Sequence, residues 1–464
     1  MTQLHIAPVV MAPAVRAFLL ACALLAASAA CSPGERPNII FLMADDLGWA
    51  DLGAYGNEIL YTPRLDRMAA EGMRFTQVYA GASVCGPSRC VLMTGLHGGH
   101  CRLRDNLAHR PGRTREERLV PLREEDVTVA ELLRERGYAT GGVGKWGLGD
   151  IGSSGAPSRQ GFDSFFGYLD QLCAHEHFPQ QLIRDEVEEA IPENEKGKRG
   201  AYANDLFTDE ILSFIDAHQD EPFFLYGPLT LPHLKWQVPD LGRWASSDLL
   251  PVARRYAAMV EWLDTSVGRI LDHLDERGLS ERTVVFFTSD NGSYAPLAGF
   301  VGSHADLRGQ KSQVYEAGIR VPMLARWPGT IEPGTVSDAV WSHVDFLPTA
   351  LAMAGGSAPE GLDGVSVLPT LLGRRQSFER PLYWEVHRPF AQAIRRGRWK
   401  GVRFGTREPL ELYDLETDRG ETTDLAADHP DLVRELATLL DTERTATRNW
   451  RAVRRAGKQR RWRQ

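Results

Sequence analysis

Acidic and amide side chains follow two predicted strands that lie far apart in the sequence. Asp45 and Asp46 come after the first apolar run of the chain, and Asp290 and Asn291 come after a later one. Ligands of open α/β sheets bind beyond the carboxyl ends of the strands. Carboxylate and carboxamide oxygens are hard donors, which suit Ca²⁺ or Mg²⁺ rather than Zn²⁺. The pattern predicts a divalent-cation site, although a single Asp-Asp pair after a strand more often caps a turn.

A cysteine lies in a second segment that could do chemistry, Ser83 to Arg89. The chain is predicted to turn at Pro87 and to continue as a helix from Cys90 to Thr94. A cysteine near a helix N-terminus and beside an arginine has a lowered thiol pKa. From the residues alone, Cys85 is therefore either a thiolate nucleophile or a buried structural cysteine.

Apolar runs and helical patterns alternate along most of the chain. The runs typical of strands buried on both faces cover residues 38–43, 139–143, 222–226, 283–287 and 321–327. The helical patterns cover residues 63–71, 127–136, 203–218 and 252–277, the first with Thr62 as N-cap and the last ended by Gly278. The alternation predicts an α/β fold with a large, mainly parallel sheet between helices.

The composition changes near residues 355–373. Short β-prone stretches follow at 381–386, 391–403 and 410–415, and a helical pattern follows at 431–442. We predict a catalytic domain over 36–372 and a smaller α+β domain with an antiparallel sheet over 373–450. Residues 451–464 are predicted to form a disordered basic tail, with attraction to an anionic surface as the alternative.

The first 31 residues resemble an export signal. Residues 17–30 are apolar and follow Arg16, but this run is shorter than the roughly 20 residues that a membrane span needs. Cys31 follows Ser28-Ala29-Ala30, which resembles a bacterial lipobox, and cleavage without lipidation is the alternative. We expect an exported protein, either periplasmic or anchored to the bacterial envelope by a lipid on Cys31.

The net charge and the cysteine content limit the binding partners and the disulfides that this chain can have. The formal net charge of -8 argues against a nucleic-acid-binding body, because duplex binding depends on clustered Lys and Arg. Export permits disulfides, and Cys90, Cys101 and Cys173 allow at most one bridge among them. The sequence does not determine which two of these three cysteines would pair.

The segment Cys85-Gly86-Pro87-Ser88-Arg89 resembles the core motif of the type I sulfatases, members of the alkaline phosphatase superfamily. The resemblance extends over residues 36–445. Its further motifs, in family order, are ADD at 44–46, GKW at 144–146, PH at 232–233, SDNG at 289–292 and GQK at 309–311. It implies an alkaline-phosphatase-like fold and hydrolysis of a sulfate monoester, either an aryl sulfate or a sulfated carbohydrate.

The resemblance also implies a modified nucleophile. In the family, a maturation enzyme oxidises the motif cysteine to formylglycine, here Cys85. The hydrated aldehyde is a gem-diol, of which one hydroxyl attacks the sulfur and the other allows elimination of sulfate. Asp45, Asp46, Asp290 and Asn291 would hold a divalent cation near this side chain, Ca²⁺ in preference to Mg²⁺.

The remaining motif residues receive roles from the same resemblance. Arg89 would fix the diol and offset carboxylate charge. Lys145 and Lys311 would bind sulfate oxygens as these gain charge. His233 would act at the leaving oxygen as a general acid or hydrogen-bond donor.

Position 147 departs from the family pattern. Many members read GKWH, and that His helps to orient the diol, whereas residue 147 is Gly here. His175 could supply an imidazole to the site, with a surface loop or an adventitious metal site as the alternative. His97 and His100 are either structural or substrate-lining.

Two other functions use the same motifs. The site could hydrolyse a phosphonate or phosphate ester, although a cysteine and one oxygen-rich cluster argue against the two-zinc chemistry of related enzymes. The chain could also be a non-catalytic surface binding protein. For the sulfatase, the expected partners are a sulfated small molecule or glycan and a formylglycine-generating enzyme.

Overall fold

The computed structural model describes residues 36–107, 114, 119–294, 299–387 and 389–454. The predicted signal and Cys31 lie outside the described residues, as does the tail from residue 455 onward. The division between a catalytic and a C-terminal domain after residue 372 stays a prediction.

Eleven strands of the described chain form one large sheet. They are β1 (Asn38–Ala44), β2 (Met73–Tyr79), β3 (Ala139–Lys145), β4 (Ser164–Tyr168), β5 (Gln181–Arg184), β6 (Val187–Ala190), β7 (Phe223–Pro228), β8 (Thr283–Ser289), β9 (Arg320–Arg326), β10 (Thr335–Ser337) and β11 (Trp341–Ser342). Their order is β10-β2-β9-β8-β1-β7-β3-β4-β5-β6, with β11 also paired to β2.

The centre of this sheet is parallel, as the sequence predicts. Strands β8, β1, β7, β3 and β4 pair in parallel, whereas β9 runs antiparallel to both of its neighbours. All seven residues of β1 are buried, because strands flank it on both sides and apolar clusters cover both faces of the sheet.

Helices cover the sheet and connect its strands. They are α1 (Pro63–Glu71), α2 (Cys85–Thr94), α3 (Val129–Arg134), α4 (Ala203–Ala217), α5 (Pro251–Glu276), α6 (Glu316–Ile319), α7 (Phe346–Met353), α8 (Leu368–Leu371) and α9 (Pro430–Thr442). Short 3₁₀ helices lie at Gly53–Tyr55, Pro157–Gln160, Cys173–His175, Pro192–Gly197, Gly242–Ser246, Ser280–Arg282 and His343–Asp345.

Two helix starts differ from the predictions by two residues or more, for local reasons. Helix α3 begins at Val129 rather than at residue 127, because Thr128 and Glu131 form a reciprocal capping box. Helix α2 begins at Cys85 itself, five residues earlier than predicted. Pro87 lies in its first turn, where a missing N–H costs no helical hydrogen bond.

A second, antiparallel sheet follows, as predicted for the C-terminal region. Its strands are β12 (Leu382–His387), β13 (Phe390–Arg396), β14 (Trp399–Arg403) and β15 (Glu411–Asp414), paired in that order. The β-prone stretch 391–403 is divided between two strands, because Gly397 adopts a positive φ of 58° and turns the chain.

Buried ion pairs join this second sheet to the segment before β9. The Lys400 Nζ on β14 lies 2.9 Å from Glu316 Oε1 and 2.8 Å from Glu421 Oε1. None of these three side chains is exposed. Removing one member of such a group would leave a buried charge without its partner. The chain around residue 316 is therefore held firmly against the second sheet.

Cysteine pairing and membrane crossing can be assessed for the described residues. No disulfide joins the cysteines of this part, so the bridge that the sequence permits does not form. No helix within the described ranges combines the length and the apolar character that a membrane crossing needs.

Candidate active site

Four adjacent parallel strands carry polar residues to one edge of the large sheet. Lys145 is the last residue of β3, and His233 lies in the loop after β7. Asp45 follows β1 and Asp290 follows β8. The register pairs Ala44 with Ser289, so the chain leaves both strands at the same level. The strand pairing therefore brings these predicted site residues to one edge of the sheet.

Helix α2 brings the cysteine and the arginine of the motif to this edge. All ten of its residues are buried, and Cys85 is the first of them. The Cys85 Sγ lies 3.3 Å from Asp45 Oδ1. One turn later, Arg89 donates from Nη2 to Asp290 Oδ2 at 2.7 Å and from Nη1 to the carbonyl oxygen of Lys145. Arg89 thus ties the helix to two strand ends.

Two lysines complete the cluster of charges. The Lys145 Nζ lies 2.5 Å from Asp45 Oδ2, and the Lys311 Nζ lies 2.5 Å from Asp46 Oδ1. Lys311 also approaches Cys85 Sγ at 3.4 Å. Together with Arg89, these lysines place three cationic side chains against three carboxylates. The cluster is formally neutral when His233 is uncharged.

The oxygen donors have the chemistry of a hard-cation site. Asn291 donates from Nδ2 to Asp46 Oδ1 at 2.8 Å. Asp46 Oδ2 and Asn291 Oδ1 are buried without a hydrogen-bond partner among the described residues. Ligand atoms of Asp45, Asp46, Cys85 and His233 all lie within 4.8 Å of one another. Orphaned buried oxygens of this kind fit a divalent cation.

The backbone at Asp46 is also unusual. Asp46 has a φ of 67°, in the left-handed region that aspartate tolerates better than most residues. Its N–H donates to Asp290 Oδ1 at 3.2 Å, which holds the conformation. The carboxylate is thereby turned toward the other donors.

The three carboxyl groups titrate differently. Burial disfavours the charged form of Asp45, but the cations Lys145, Arg89 and Lys311 outweigh it and keep its pKa well below the ordinary value. Burial, reinforced by the charge of Asp45, raises the pKa of Asp290 to about 6. Burial likewise raises the pKa of Asp46, against the nearby charge of Lys311. Asp45 is the carboxylate whose charge the protein itself stabilises most.

The structure argues against a thiolate at Cys85. Burial, and then the charges of Asp290 and Asp45, raise the pKa of the Cys85 thiol far above its ordinary value. Among the protein groups alone, this raised pKa reverses the lowering predicted from the helix N-terminus and the neighbouring arginine. Arg89 is engaged by Asp290 instead, and the carboxylates dominate around the sulfur.

A cavity of about 440 Å³ opens over these residues. Cys85, Lys145, His233 and Lys311 line it, and so does His175. The rings of His175 and His233 lie 4.5 Å apart, so the imidazole predicted from the sequence does reach the site. Burial lowers the pKa of His233 well below its ordinary value, which keeps the ring neutral.

Gln171 is a cavity residue that sequence reasoning missed. It is only 8% exposed, and neither its Oε1 nor its Nε2 has a partner among the described residues. Gly147 has a φ of 79°, and an added Cβ there would lie 1.7 Å from Gln171 Nε2. The Gln171 amide therefore occupies the space that a side chain at residue 147 would need. Its position just after β4 could have indicated a place in the site, but the sequence patterns did not predict that strand.

His97 and His100 do not line this cavity. Their rings stack at 4.3 Å. His100 Nδ1 lies 2.9 Å from Asp363 Oδ1, and His97 Nε2 lies 3.2 Å from Glu443 Oε2. The pair therefore fastens the loop after α2 to the C-terminal part of the chain, which favours the structural interpretation.

Two family models match the chain. The model described as "Sulfatase" matches residues 37–356. The model described as "N-sulphoglucosamine sulphohydrolase, C-terminal" matches residues 309–446. The two matches together span the large sheet, the site and the second sheet.

Individual relatives agree with these models. Human arylsulfatase A is 35% identical over 455 residues, covering 87% of this chain and 86% of the relative. Mouse N-acetylgalactosamine-6-sulfatase is 34% identical over 447 residues, covering 90% and 83%. The crystal structure of Ps i-CgsB in complex with k-i-k-neocarrahexaose superposes with a TM-score of 0.78 at 27% identity, covering 91% and 96%. The chain is a sulfatase, an enzyme of the type I sulfatase family within the alkaline phosphatase superfamily.

Proposed function

We propose that this sulfatase hydrolyses a sulfate monoester with a formylglycine derived from Cys85 and a bound Ca²⁺. The observation that carries the proposal is the setting of Cys85. Its thiol is buried among carboxylates that oppose a thiolate, yet its side chain faces the oxygen cluster and both lysines. An unmodified cysteine is a poor nucleophile there, whereas a hydroxyl-bearing side chain suits the position.

The cation would be held by the oxygens of Asp45, Asp46, Asp290 and Asn291. All four residues are completely or almost completely buried. Their carboxylates and carboxamide favour Ca²⁺ over softer metals. When bound, the ion supplies Lewis-acid polarisation of sulfate oxygens and lowers the pKa of a nearby hydroxyl.

The balance of charges favours an anionic substrate. Three carboxylates face Arg89, Lys145 and Lys311, so the protein cluster alone is formally neutral. A divalent cation would therefore give the site a net positive charge. Such a site attracts a sulfate monoester and favours charge that develops on its oxygens.

The chain's own residues then have distinct roles. Lys145 and Lys311 are within reach of both the carboxylates and residue 85, so each can donate to a sulfate oxygen. His233 lies on the cavity wall, 3.5 Å from Asp46 Oδ2. It would act at the leaving oxygen as a general acid or hydrogen-bond donor. Arg89 holds Asp290 and the start of α2 in place. The aldehyde hydrate at residue 85 supplies one hydroxyl for attack and a second for sulfate release.

The substrate class follows from the cavity and from the relatives. A volume of about 440 Å³ accommodates a small ring system that carries a sulfate group. Relatives include enzymes named arylsulfatase and N-acetylgalactosamine-6-sulfatase, and Ps i-CgsB has been crystallised with a neocarrahexaose. We propose a sulfated carbohydrate or aryl sulfate as the substrate. Export, with or without a lipid on Cys31, belongs to the same proposal.

Substitution of Cys85 tests the nucleophile. We expect Cys85→Ala to lower kcat/KM for a chromogenic aryl sulfate by at least about 10³-fold, because no hydroxyl remains to attack. Cys85→Ser should release about one equivalent of phenol and then stop, since a serine sulfate lacks the second hydroxyl. Initial-burst and steady-state measurements distinguish these outcomes.

The buried Cys101→Ala variant is the matched control and should keep turnover. Unchanged turnover in Cys85→Ala would contradict the mechanism. Faster turnover of the matching aryl phosphonate by the unsubstituted enzyme would favour phosphonate hydrolysis. An inactive enzyme after co-expression with the maturation enzyme would favour a binding protein.

Removal of one oxygen donor tests the cation site. Ca²⁺ at about 100 times its Kd should raise the unfolding free energy by about 2.7 kcal/mol, because only the folded chain binds it. Each protein is first stripped of metal with a chelator, and Ca²⁺ is then added back. Asn291→Ala should show little of the Ca²⁺-dependent rise in unfolding free energy. Denaturant titrations with and without Ca²⁺ measure the difference.

Asn38 provides the control for this experiment. It is also buried but lies at the opposite end of β1, where it donates to Thr283 Oγ1 at 3.1 Å. Asn38→Ala should be less stable yet keep the full Ca²⁺ effect. An equal Ca²⁺ effect in both variants would place the ion elsewhere.

Gln171 is proposed to bind the reacting groups. A buried amide without a partner costs the fold about 1–3 kcal/mol, which argues that its partner arrives with the substrate or with the modified residue 85. We expect Gln171→Leu to lower kcat for an aryl sulfate about 10²-fold. Its unfolding free energy should stay the same or rise. A lower unfolding free energy with unchanged kcat would show that Gln171 is only structural.

A further inference from the structure

A larger groove lies outside the active site. It has a volume of about 1030 Å³ and shares no lining residue with the cavity over Cys85. Its walls come from β2, the start of β9, the segment around β10, the chain after α8 and the second sheet. The groove is large for a small-molecule pocket, which typically has about 300–1,000 Å³.

The lining of this groove is strongly basic. Eight of its residues are arginines, and only Asp338 and Glu416 are acidic. The chain as a whole has a formal net charge of -8. Positive charge concentrated in one concave surface of an acidic protein produces a local field that attracts anions.

Half of these arginines have no acidic partner. Arg74, Arg374, Arg375 and Arg395 have no carboxylate oxygen within 4.0 Å among the described residues. Arg374 and Arg375 are exposed. Arg74 lies over the ring of Tyr55, with 5.3 Å between the guanidinium carbon and the ring centroid. The charges of Arg374 and Arg375 are therefore available to a ligand.

The other four arginines pair with carboxylates. Arg320 contacts Glu316 and Arg380 contacts Asp345, both of which are buried. In the same way, Arg398 contacts Asp414 and Arg419 contacts Asp306. These pairs hold the guanidinium groups in place and reduce, but do not remove, the positive charge of the groove.

Arg395 shows that the groove is built rather than accidental. It is only 5% exposed, yet its partners are neutral. Its Nη2 donates to Gln77 Oε1 at 2.7 Å, its Nε donates to the carbonyl oxygen of Gly397 at 2.8 Å, and its Nη1 donates to the Tyr79 hydroxyl. Within the described chain, no carboxylate contacts Arg395 directly, although the Tyr79 hydroxyl links it to Glu316, to whose Oε2 that hydroxyl donates at 2.8 Å. An anionic ligand in the groove would give this buried cation a direct anionic partner.

We propose that this groove binds a segment of a sulfated polysaccharide, away from the site that cleaves the sulfate ester. The class of ligand rests on the proposed function. Guanidinium groups match sulfate in charge and in paired hydrogen-bonding geometry. Their spread over several chain segments suits a polyanion with repeated sulfate groups better than a single small anion. The groove would hold a polymeric substrate on the enzyme through contacts separate from those of the catalytic cavity.

Other polyanions fit the groove less well. Single-stranded nucleic acids need aromatic faces for base stacking. Trp49 and Phe378 are the aromatic residues in the lining, and Trp49 is only 7% exposed. A membrane surface is flat and meets protruding basic residues, whereas these arginines line a concavity. A single polysaccharide chain can enter it.

A binding experiment tests the groove. The Cys85→Ala chain, which should not consume the ligand, is titrated with a sulfated hexasaccharide and with its desulfated counterpart. The groove variant is Arg374→Gln with Arg375→Gln. The matched control is Arg159→Gln with Arg255→Gln, two exposed arginines that line neither cavity. Calorimetry at about 50 and 200 mM salt gives Kd and its salt dependence.

We expect the groove variant to bind the sulfated hexasaccharide about tenfold more weakly at low salt, with a smaller salt dependence. The control variant should bind like the parent, and the desulfated sugar should bind weakly to all three. Equal affinity in the groove and control variants would overturn the proposal. Tighter binding of an oligonucleotide or of phosphatidylserine vesicles than of the hexasaccharide would overturn the ligand class.

The proposed catalytic function is tested by a separate activity assay. Turnover of a small aryl sulfate by the unsubstituted, matured chain reports on the active site alone. An enzyme that turns over the aryl sulfate while the groove and control variants bind equally would refute the groove and leave the sulfatase mechanism intact.

Discussion

Three carboxylates buried at adjacent strand ends determine which cationic side chains must meet at this site. Asp45, Asp46 and Asp290 could not remain together in a dry interior without compensating charge. Arg89, Lys145 and Lys311 provide it, and each comes from a different element. The carboxylates follow β1 and β8, whereas the cations come from the end of β3, from α2 and from the loop before α6. A divalent cation added to it would convert a neutral cluster into an anion-binding site.

The surrounding fold keeps these elements in register. Parallel pairing of β1 with β8 sets the levels of the two carboxylate-bearing strand ends, and Arg89 fastens α2 to them. The loop with Lys311 leads directly into α6, where Glu316 forms the buried ion pair with Lys400 of the second sheet. The C-terminal strands thus help to position a residue of the site, although they contribute no side chain to the catalytic cavity.

Local sequence patterns predicted the centre of this molecule but not its periphery. Continuous apolar runs mark β1, β3, β7, β8 and β9, since strands buried on both faces have no alternation to obscure them. Strands β5 and β6 carry mostly polar, accessible residues and have no such signal. The motif residues converge as expected, whereas Gln171 and the arginine groove depend on contacts between distant segments. The raised thiol pKa of Cys85 likewise arises from carboxylates that are remote in sequence.

Residue 85 is proposed to work as an aldehyde hydrate rather than as a thiol. Mass spectrometry of the peptide that carries residue 85 tests this proposal most directly. The peptide is taken from purified enzyme that is fully active. With formylglycine at residue 85, the peptide should be about 18 Da lighter than the cysteine form, the difference made by conversion of the thiol-bearing carbon to an aldehyde. An unmodified thiol in fully active enzyme would contradict it.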